Sequence, residues 1–449
     1  MEPAMLDLLD SRFAAAKNKT ALITDTESVT YAELIKAISE WEVALERAGV
    51  LSGDVVVLRG DFGRTGIASL FALLRLQAIT ILVAPSSSEK EPEFTELGSA
   101  QWQIDSRTVT IVKLDHDGQH PLYHQLRAAH EPGIVLFSSG STGVSKGTVH
   151  SGFRLLEKFR EPGKDLRTLA FLLFDHIAGL DTLFYSLANT STLILPTNRM
   201  PKSVCEMIEA HRVEVLPTAP SFLNLLLLSG ALDAHDLSSL KIITYGSEMM
   251  SESVLAKLSE KLPNVRVIQK YGTSETGALP SQSRSNTSTW VKLGGDGFAW
   301  RVRDGLFEVQ SKTAMLGYLN AASPFTEDGW FKTGDRVETD GDYVRFLGRD
   351  SDIINVGGQK VYPAEVEALI LELPEVAEVA ISGEPHAILG AAVVAHIHPD
   401  GEISQAELRK NIRAHLANQI EGYKIPQKFK IVDGPLTTSR FKKIRRHPS

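Results

Sequence analysis

Short apolar runs and amphipathic segments alternate from the N-terminus to about residue 271. The run 20–24 predicts a strand, and Thr30 with Glu33 forms a capping box that predicts the start of a helix. Apolar positions then recur at helical spacing at Leu34, Ile35, Ile38, Trp41 and Leu45. Because such alternation is typical of crossover units, we expect mainly parallel sheets with helices on their faces.

The pattern changes after about Gly294 to short strands and tight turns. Residues 340–342, Asp-Gly-Asp, predict a hairpin turn. A charged segment at residues 347–352 precedes a compact stretch, which predicts a helix from Ala364, strands from Val376 and Ala391, and a helix from Gln405. We therefore predict an α/β fold with two domains, residues 1–348 and 349–449.

Composition is that of a globular protein and argues against several classes of function. The 449 residues are 43% hydrophobic and 23% charged, too long a chain for one core. The net charge of −8 argues against general binding to nucleic acid or to a membrane surface. The most apolar stretch, residues 66–85, contains Arg75 and Gln77, so we expect no membrane insertion. The single Cys205 fits a reducing compartment, and acidic residues near the start argue against a signal peptide, so we expect a cytoplasmic protein.

Small hydroxyl residues and glycines are concentrated directly after the apolar run 134–137. Residues 138–147 have the sequence Ser-Ser-Gly-Ser-Thr-Gly-Val-Ser-Lys-Gly. Glycines let backbone N–H groups approach an anion, hydroxyls donate from the side, and a lysine adds a mobile positive charge. The spacing is not that of a Walker loop, because Lys146 is followed by Gly147. The segment predicts a phosphate-binding loop of another kind, with a flexible linker as the alternative.

This loop resembles the signature loop of the adenylate-forming enzymes, the family of acyl-CoA synthetases, adenylation domains and luciferases. The resemblance implies that the loop binds ATP through Ser138, Ser139, Gly140, Ser141, Thr142, Gly143 and Lys146. Residues 271–277, Tyr-Gly-Thr-Ser-Glu-Thr-Gly, are similar to the family's second nucleotide motif. That similarity implies nucleotide contacts from Tyr271, Gly272 and Thr273, and Mg²⁺ coordination by Glu275. Alone, this motif also fits an ordinary strand-to-helix turn.

Residues 329–335, Gly-Trp-Phe-Lys-Thr-Gly-Asp, are similar to the family's third motif. The resemblance implies that Asp335 binds the ribose hydroxyls, a task that suits an acceptor-only carboxylate. It also implies that Arg349 reaches the same sugar and that Asp350 occupies the hinge between the domains. Alone, the third motif also fits a solvated turn.

The C-terminal part carries two further similarities. Residues 353–367 resemble the opening of the family's C-terminal domain, in which Gly357 and Gly358 would line a tunnel for pantetheine. A proline at the first helical position, followed by acidic residues, is a sufficient structural reason for the same stretch. The family typically ends with a catalytic lysine in Gly-Lys-Ile, whereas residues 440–444 here are Arg-Phe-Lys-Lys-Ile. The spacing favours Lys442 over Lys443 as that lysine, and a basic tail in solvent is the alternative.

The acyl site has two possible registers. Residues 174–180, Phe-Asp-His-Ile-Ala-Gly-Leu, resemble the family's His-x-x-Gly stretch, which implies His176 as a catalytic residue at the mouth of the site. The Phe-Asp pair also resembles that of amino-acid-activating domains, in which Asp175 would bind a substrate ammonium. A structural histidine with Asp175 as a helix cap is the alternative. Ser221 and Gly246 fall where the family builds the rest of the pocket, and Gly246 also falls at the nucleotide site.

The ordered motifs together imply a large N-terminal domain of stacked α/β subdomains with a small β region, followed by a mobile α+β lid. The implied reaction is attack of a small carboxylic acid on ATP with Mg²⁺, with Lys146 and Lys442 as catalytic residues, and then thioester formation with CoA. One alternative is an adenylation enzyme that passes the acyl group to a carrier-protein phosphopantetheine or to an amine. Another is a degenerate, non-catalytic nucleotide-binding protein.

Overall fold

The computed structural model describes residues 4–139, 145–434 and 436. Within these residues the α-helices are α1 (Met5–Ala15), α2 (Tyr31–Ala48), α3 (Arg64–Arg75), α4 (Glu91–Leu97), α5 (Pro121–Ala129), α6 (Gly152–Glu157), α7 (Ile177–Ala188), α8 (Pro201–His211), α9 (Pro220–Leu228), α10 (Ala231–Ala234), α11 (Glu252–Lys261), α12 (Pro363–Ile370) and α13 (Gln405–Leu416). Short 3₁₀ helices span Pro85–Lys90, Asp350–Asp352 and Gly422–Lys424.

The strands are β1 (Thr20–Ile23), β2 (Ser28–Thr30), β3 (Val55–Arg59), β4 (Ile79–Val83), β5 (Trp102–Asp105), β6 (Thr110–Lys113), β7 (Gly133–Ser139), β8 (Ser145–Ser151), β9 (Thr168–Leu169), β10 (Leu193–Ile194), β11 (Val215–Thr218), β12 (Ile242–Tyr245), β13 (Arg266–Gln269), β14 (Gly272–Thr273), β15 (Gly277–Ala278), β16 (Ser281–Ser283), β17 (Val291–Leu293), β18 (Phe298–Arg303), β19 (Leu306–Ser311), β20 (Gly317–Tyr318), β21 (Phe331–Asp340), β22 (Tyr343–Arg349), β23 (Ile354–Val356), β24 (Gln359–Val361), β25 (Val376–His386), β26 (Gly390–Pro399) and β27 (Lys428–Ile431).

Two seven-stranded sheets form the body of the N-terminal part. The first has the strand order β13-β12-β11-β9-β10-β1-β2 and the second has the order β20-β8-β7-β4-β3-β5-β6. Strands β3, β4 and β7 pair in parallel, as do β11, β12 and β13, which confirms the expected crossover units. Strands β7 and β8 instead pair antiparallel, because only a short connection joins them.

One hydrophobic core lies between these two sheets. It contains Phe13 of α1, Phe71 of α3 and Phe184 of α7, each at most 1% exposed. The same core includes Leu22 of the first sheet and Leu58 of the second. Because both sheets contribute to it, helices form a layer between them, which confirms the predicted stacked α/β construction.

Helix α2 begins where its capping box predicts. Thr30 Oγ1 accepts a hydrogen bond from Glu33 N at 3.2 Å, and Glu33 Oε2 accepts one from Thr30 N at 2.7 Å. The apolar face of α2 then enters the core through Leu34, Ile38, Trp41 and Leu45. Local sequence therefore sets both the start and the orientation of this helix.

The rest of the described chain consists of smaller units. Strands β16-β17-β22-β21-β19-β18 form an antiparallel sheet, and Gly341, with φ +58°, confirms the hairpin turn between β21 and β22. Strands β24-β23-β26-β25, with β27 beside β26, form a C-terminal sheet covered by α12 and α13. Across the described residues no helix combines the length and apolar character needed to cross a membrane.

Candidate active site

Asp335 joins two of the residues predicted to bind a nucleotide. Tyr271 Oη donates a hydrogen bond to Asp335 Oδ2 at 2.7 Å, and Arg349 Nε lies 3.2 Å from Asp335 Oδ1. Asp335 and Arg349 are directly opposite in the antiparallel pair β21–β22, while Tyr271 follows β13 of the first large sheet. The second and third sequence motifs therefore meet where that sheet reaches the small antiparallel sheet.

The ionisation of these groups is set by their surroundings. Burial raises the pKa of the Asp335 carboxyl, although the Arg349 guanidinium opposes the rise. Burial, and then the charge of Asp335, raise the pKa of the Tyr271 phenol well above its usual range. The phenol therefore remains protonated and acts as the donor to Asp335.

Glu275, Tyr318 and Lys146 form a second connected group. Tyr318 Oη donates a hydrogen bond to Glu275 Oε1 at 2.6 Å, and Lys146 Nζ lies 5.6 Å from the centroid of the Tyr318 ring. Tyr318 lies in β20, which pairs with β8, the strand that carries Lys146. The tyrosine thus links the lysine of the predicted phosphate loop to the predicted metal ligand.

Arg349 connects the two groups electrostatically. Burial lowers the pKa of its guanidinium, but Asp335, Tyr271 and Glu275 together raise it above the ordinary value. Burial and Glu275 raise the pKa of Tyr318, and Arg349 opposes them. Residues from the three motifs therefore belong to one site.

Ser145, directly after the predicted phosphate loop, is held by two side chains from elsewhere in the chain. Asn320 Nδ2 donates to Ser145 O at 2.7 Å, and Glu93 Oε1 accepts a hydrogen bond from Ser145 N at 3.1 Å. In the pair β7–β8, Ser138 is in register with Lys146 and Ser139 with Ser145. The loop residues themselves, Gly140, Ser141, Thr142 and Gly143, lie outside the described residues, so their roles stay predictions.

The segment after Tyr271 is a hairpin of β14 and β15, so the strand-to-helix alternative was wrong. A Cβ atom at Gly272 would lie 2.6 Å from Gly277 O, so close approach of the strands requires glycine there. Thr273 Oγ1 accepts hydrogen bonds from Glu275 N and Thr276 N, each at 3.2 Å. This turn holds the backbone of Glu275 in place.

A buried histidine supports the same turn. His150 is 0% exposed, and its Nε2 lies 2.7 Å from Ser274 O. Burial lowers the pKa of this imidazole to about 4, so it is neutral at pH 7 and its Nε2–H donates to the carbonyl.

His176, not Asp175, caps helix α7. Its Nδ1 accepts a hydrogen bond from Ala178 N at 3.2 Å, because His176 occupies the position directly before the first helical residue, Ile177. Asp175 lies one residue too early and is 3% exposed, with Ser87 Oγ donating to its Oδ2 at 2.6 Å. The cap interpretation of Asp175 was therefore wrong. Its ammonium-binding role stays a prediction, as does the catalytic role of His176.

Two charged residues that the sequence analysis missed border the predicted acyl pocket. Glu248 Oε2 accepts a hydrogen bond from Ser221 N at 3.0 Å at the start of α9. A Cβ atom at Gly246 would lie 2.7 Å from Lys270 O, and Lys270 N donates to Tyr245 O at 2.7 Å. Their position in the sequence could have identified them. Both residues follow the carboxyl ends of parallel strands, where open α/β sheets bind ligands.

The C-terminal part contributes a tight turn and a contact at the predicted hinge. Gly357 and Gly358 have φ values of +59° and +86° and connect β23 to β24, a conformation that glycine adopts without strain. Asp350 Oδ1 accepts a hydrogen bond from Arg336 Nε at 2.5 Å. Both Lys442 and Lys443 lie outside the described residues.

Glu275 can contribute to a magnesium site only together with a ligand. Across the described residues no cluster of three or more metal-binding side chains occurs. Mg²⁺ is usually held by one or two carboxylates together with phosphate oxygens and water. A single carboxylate near Lys146 of the phosphate loop fits a metal ion that arrives with a nucleotide.

Models of two families match the sequence. One is described as AMP-binding enzyme and matches residues 93–294, and the other is described as AMP-binding enzyme C-terminal domain and matches residues 365–442.

Similar proteins extend over most of the chain. A 2-succinylbenzoate–CoA ligase of Listeria monocytogenes is 27% identical over 96% of this chain and 96% of its own. An indoleacetate–CoA ligase of Aromatoleum aromaticum is 26% identical over 95% of this chain and 93% of its own. The crystal structure of the anthranilate CoA ligase AuaEII with anthranoyl-AMP has a TM-score of 0.82 and 21% identity, covering 99% of this chain and 96% of that one.

Proposed function

The chain belongs to the AMP-binding enzyme family, and from this premise we propose that it is an AMP-forming acid–thiol ligase. It activates a small carboxylic acid with ATP, releases pyrophosphate and transfers the acyl group to CoA. Relatives that match 96% and 95% of the chain carry the names of CoA ligases, which supports this proposal.

The main support for the proposal is that two groups of side chains lie close together. The first consists of Tyr271, Asp335 and Arg349. The second consists of Glu275, Tyr318 and Lys146. The first group offers an aromatic ring and an acceptor-only carboxylate, which suit the base and sugar of a nucleoside. The second offers a carboxylate and an ammonium, which suit a triphosphate with its metal ion. Side chains suited to both halves of ATP therefore lie close together, which supports the proposal.

Positioning and electrostatics supply the first half-reaction, and no side-chain nucleophile is required. The carboxylate of the acid attacks the α-phosphorus of ATP, and pyrophosphate leaves. Lys146 holds the departing phosphates, Asp335 orients the ribose, and Lys442 stabilises the charge that develops during transfer. Mg²⁺ held by Glu275 would neutralise phosphate charge when it is bound.

The second half-reaction uses the C-terminal domain, residues 349–449. This domain rotates about Asp350. The hydrogen bond between Asp350 and Arg336 breaks during the rotation. The turn at Gly357 and Gly358 then borders the acyl-adenylate, and the absence of side chains there leaves room for pantetheine. The thiol of CoA attacks the acyl carbon, and AMP leaves.

The proposal is tested by incubating the protein with ATP, Mg²⁺ and a panel of aryl, fatty and amino acids, with and without CoA. We expect pyrophosphate, AMP and one class of acyl-CoA in the mass spectrum. Acyl-adenylate that persists in the presence of CoA would contradict CoA as the acceptor and favour a carrier protein or an amine. Absence of pyrophosphate with every acid would contradict the activity altogether and favour a non-catalytic nucleotide-binding protein.

The catalytic lysine is tested with a matched pair of variants in the same basic segment. Lys442→Ala should lower the rate of pyrophosphate release by about 100-fold or more, since it removes charge stabilisation from the transition state. Lys443→Ala should leave that rate within about twofold, as expected for a charge that does not contact the reacting groups. The reverse order of effects would assign the role to Lys443.

A further inference from the structure

Lys270 places a positive charge at the predicted acyl pocket. It directly follows β13 and precedes Tyr271, whose hydroxyl turns away to Asp335. A Cβ atom at Gly246 would lie 3.6 Å from Lys270 Cβ, so the lysine side chain leaves the sheet edge on the side where Gly246 lacks one. That side is the predicted pocket, which makes the lysine part of its wall.

The ammonium of Lys270 has no hydrogen bond or ion pair with any residue that the structure describes. Its side chain is exposed to solvent, yet the surrounding protein lowers the pKa of the ammonium. Both properties are expected of a group at the edge of the sheet, where water reaches the ammonium but its hydration is incomplete. A cation held there without a partner is available to a ligand.

The neighbouring charges do not neutralise Lys270. Asp181 of α7 acts on it electrostatically, but Lys158 already donates a hydrogen bond to Asp181. Lys158 also donates to Ala278 O at 3.2 Å, so it is fixed in that position. The three side chains together keep one positive charge in excess. The helix that carries Asp181 is capped by His176, so this charge lies on the element that follows the predicted acyl site.

Resting on the proposed function, we propose that Lys270 binds a second anionic group of the acid substrate, and that this substrate is a dicarboxylic acid. One carboxylate is activated by ATP, and the other pairs with Lys270. The reacting carboxylate would lie at the α-phosphorus of ATP, and the second carboxylate would pair with the Lys270 ammonium. A neutral acyl chain would leave the Lys270 ammonium desolvated and unpaired, which costs binding energy.

The test compares each dicarboxylic acid with its monomethyl ester, which keeps one carboxylate and loses the other charge. The pairs adipate and monomethyl adipate, and phthalate and monomethyl phthalate, cover aliphatic and aromatic acids. We expect kcat/KM for pyrophosphate release to be about 100-fold higher for the preferred diacid than for its ester. Lys270→Met should remove this difference by lowering activity on the diacid only, and Lys270→Arg should keep most of it. Lys257→Met, at an exposed position of α11, is the matched control and should change neither rate.

Charge reversal provides an independent measurement. Lys270→Glu should shift the preference from adipate to 6-aminohexanoate, because the new carboxylate pairs with an ammonium. Equal loss of activity on diacids and on esters in Lys270→Met would overturn the inference and assign Lys270 to the nucleotide or to the reacting carboxylate. Pyrophosphate release with esters or other monoacids but with no diacid would overturn it while leaving the proposed function intact. Absence of pyrophosphate release with every acid would refute both this inference and the proposed function.

Discussion

Asp335 and Arg349 stand directly opposite each other in the β21–β22 pair, and Asp335 Oδ1 lies 3.2 Å from Arg349 Nε. The other carboxylate oxygen of Asp335 accepts the hydroxyl of Tyr271. This arrangement presents a partly buried, oriented acceptor between two motifs that are distant in sequence. We therefore expect nucleotide binding to depend on the charge of Asp335.

We expect Asp335→Asn to raise the Kd for ATP by about 100-fold, because the amide cannot accept at both positions and Arg349 loses its counter-charge. Isothermal titration calorimetry measures the change directly. Asp342→Asn, which removes a carboxylate that pairs with Lys292 at the surface, is the control and should leave the Kd unchanged. An unaltered Kd in Asp335→Asn would remove this residue from the nucleotide site.

Tyr318→Phe should reduce kcat/KM for pyrophosphate release by about 10-fold, because Glu275 loses the hydrogen bond that orients it. If Tyr318 acts through Glu275, the Mg²⁺ concentration for half-maximal rate should also rise, which a purely structural effect would not produce. Tyr343→Phe in β22 removes a hydroxyl at the distant β21–β22 turn and serves as the control. A lower rate with an unchanged Mg²⁺ requirement would argue against this positioning role.

Gly358→Ala should impair thioester formation more than adenylation. Gly358 and Gly401 have nearly equal φ values, +86° and +87°, and an added Cβ meets no atom within 4 Å at either site. Both alanine variants should therefore lose about 1 kcal/mol of stability from backbone strain. Only Gly358→Ala should also slow acyl transfer to CoA in single-turnover measurements. Equal transfer rates in the two variants would contradict a role for this turn in the thiol tunnel.

Acid should destabilise the protein partly through His150. The pKa of this imidazole falls from 6.5 to about 4 on burial, so the unfolded chain binds the proton more readily than the folded one. The stability contributed by the neutral form is therefore complete above pH 6.5 and is lost as the pH falls towards 4, by up to about 3 kcal/mol.

His150→Gln keeps an N–H donor for Ser274 O and cannot titrate. Its free energy of unfolding in urea should fall less between pH 7 and pH 4 than that of the unsubstituted protein. His124→Gln, at an exposed position of α5, should show the unsubstituted pH dependence. Parallel curves for all three proteins would show that His150 does not set the acid sensitivity.

Local patterns in the sequence predicted the elements well. The capping box at Thr30, the strand from Val376 and the helix from Gln405 all begin where expected, because each depends on neighbouring residues in the chain. The order of the motifs also indicated the family and brought Glu275 and Asp335 forward as candidates. Each of these residues lies in a short, recognisable sequence motif, so they could be selected without coordinates.

Tertiary structure alone decided which side chains became neighbours. Tyr318 reaches Lys146 only because β20 pairs with β8, two strands far apart in sequence. Lys270 lies beside Gly246 only because parallel pairing brings the ends of β12 and β13 together. Turns and caps are set by hydrogen bonds between residues a few positions apart, and the sequence alone therefore determined them. The composition of the site depends on strand order and sheet contacts, which arise from burial of the whole core and not from residues a few positions apart.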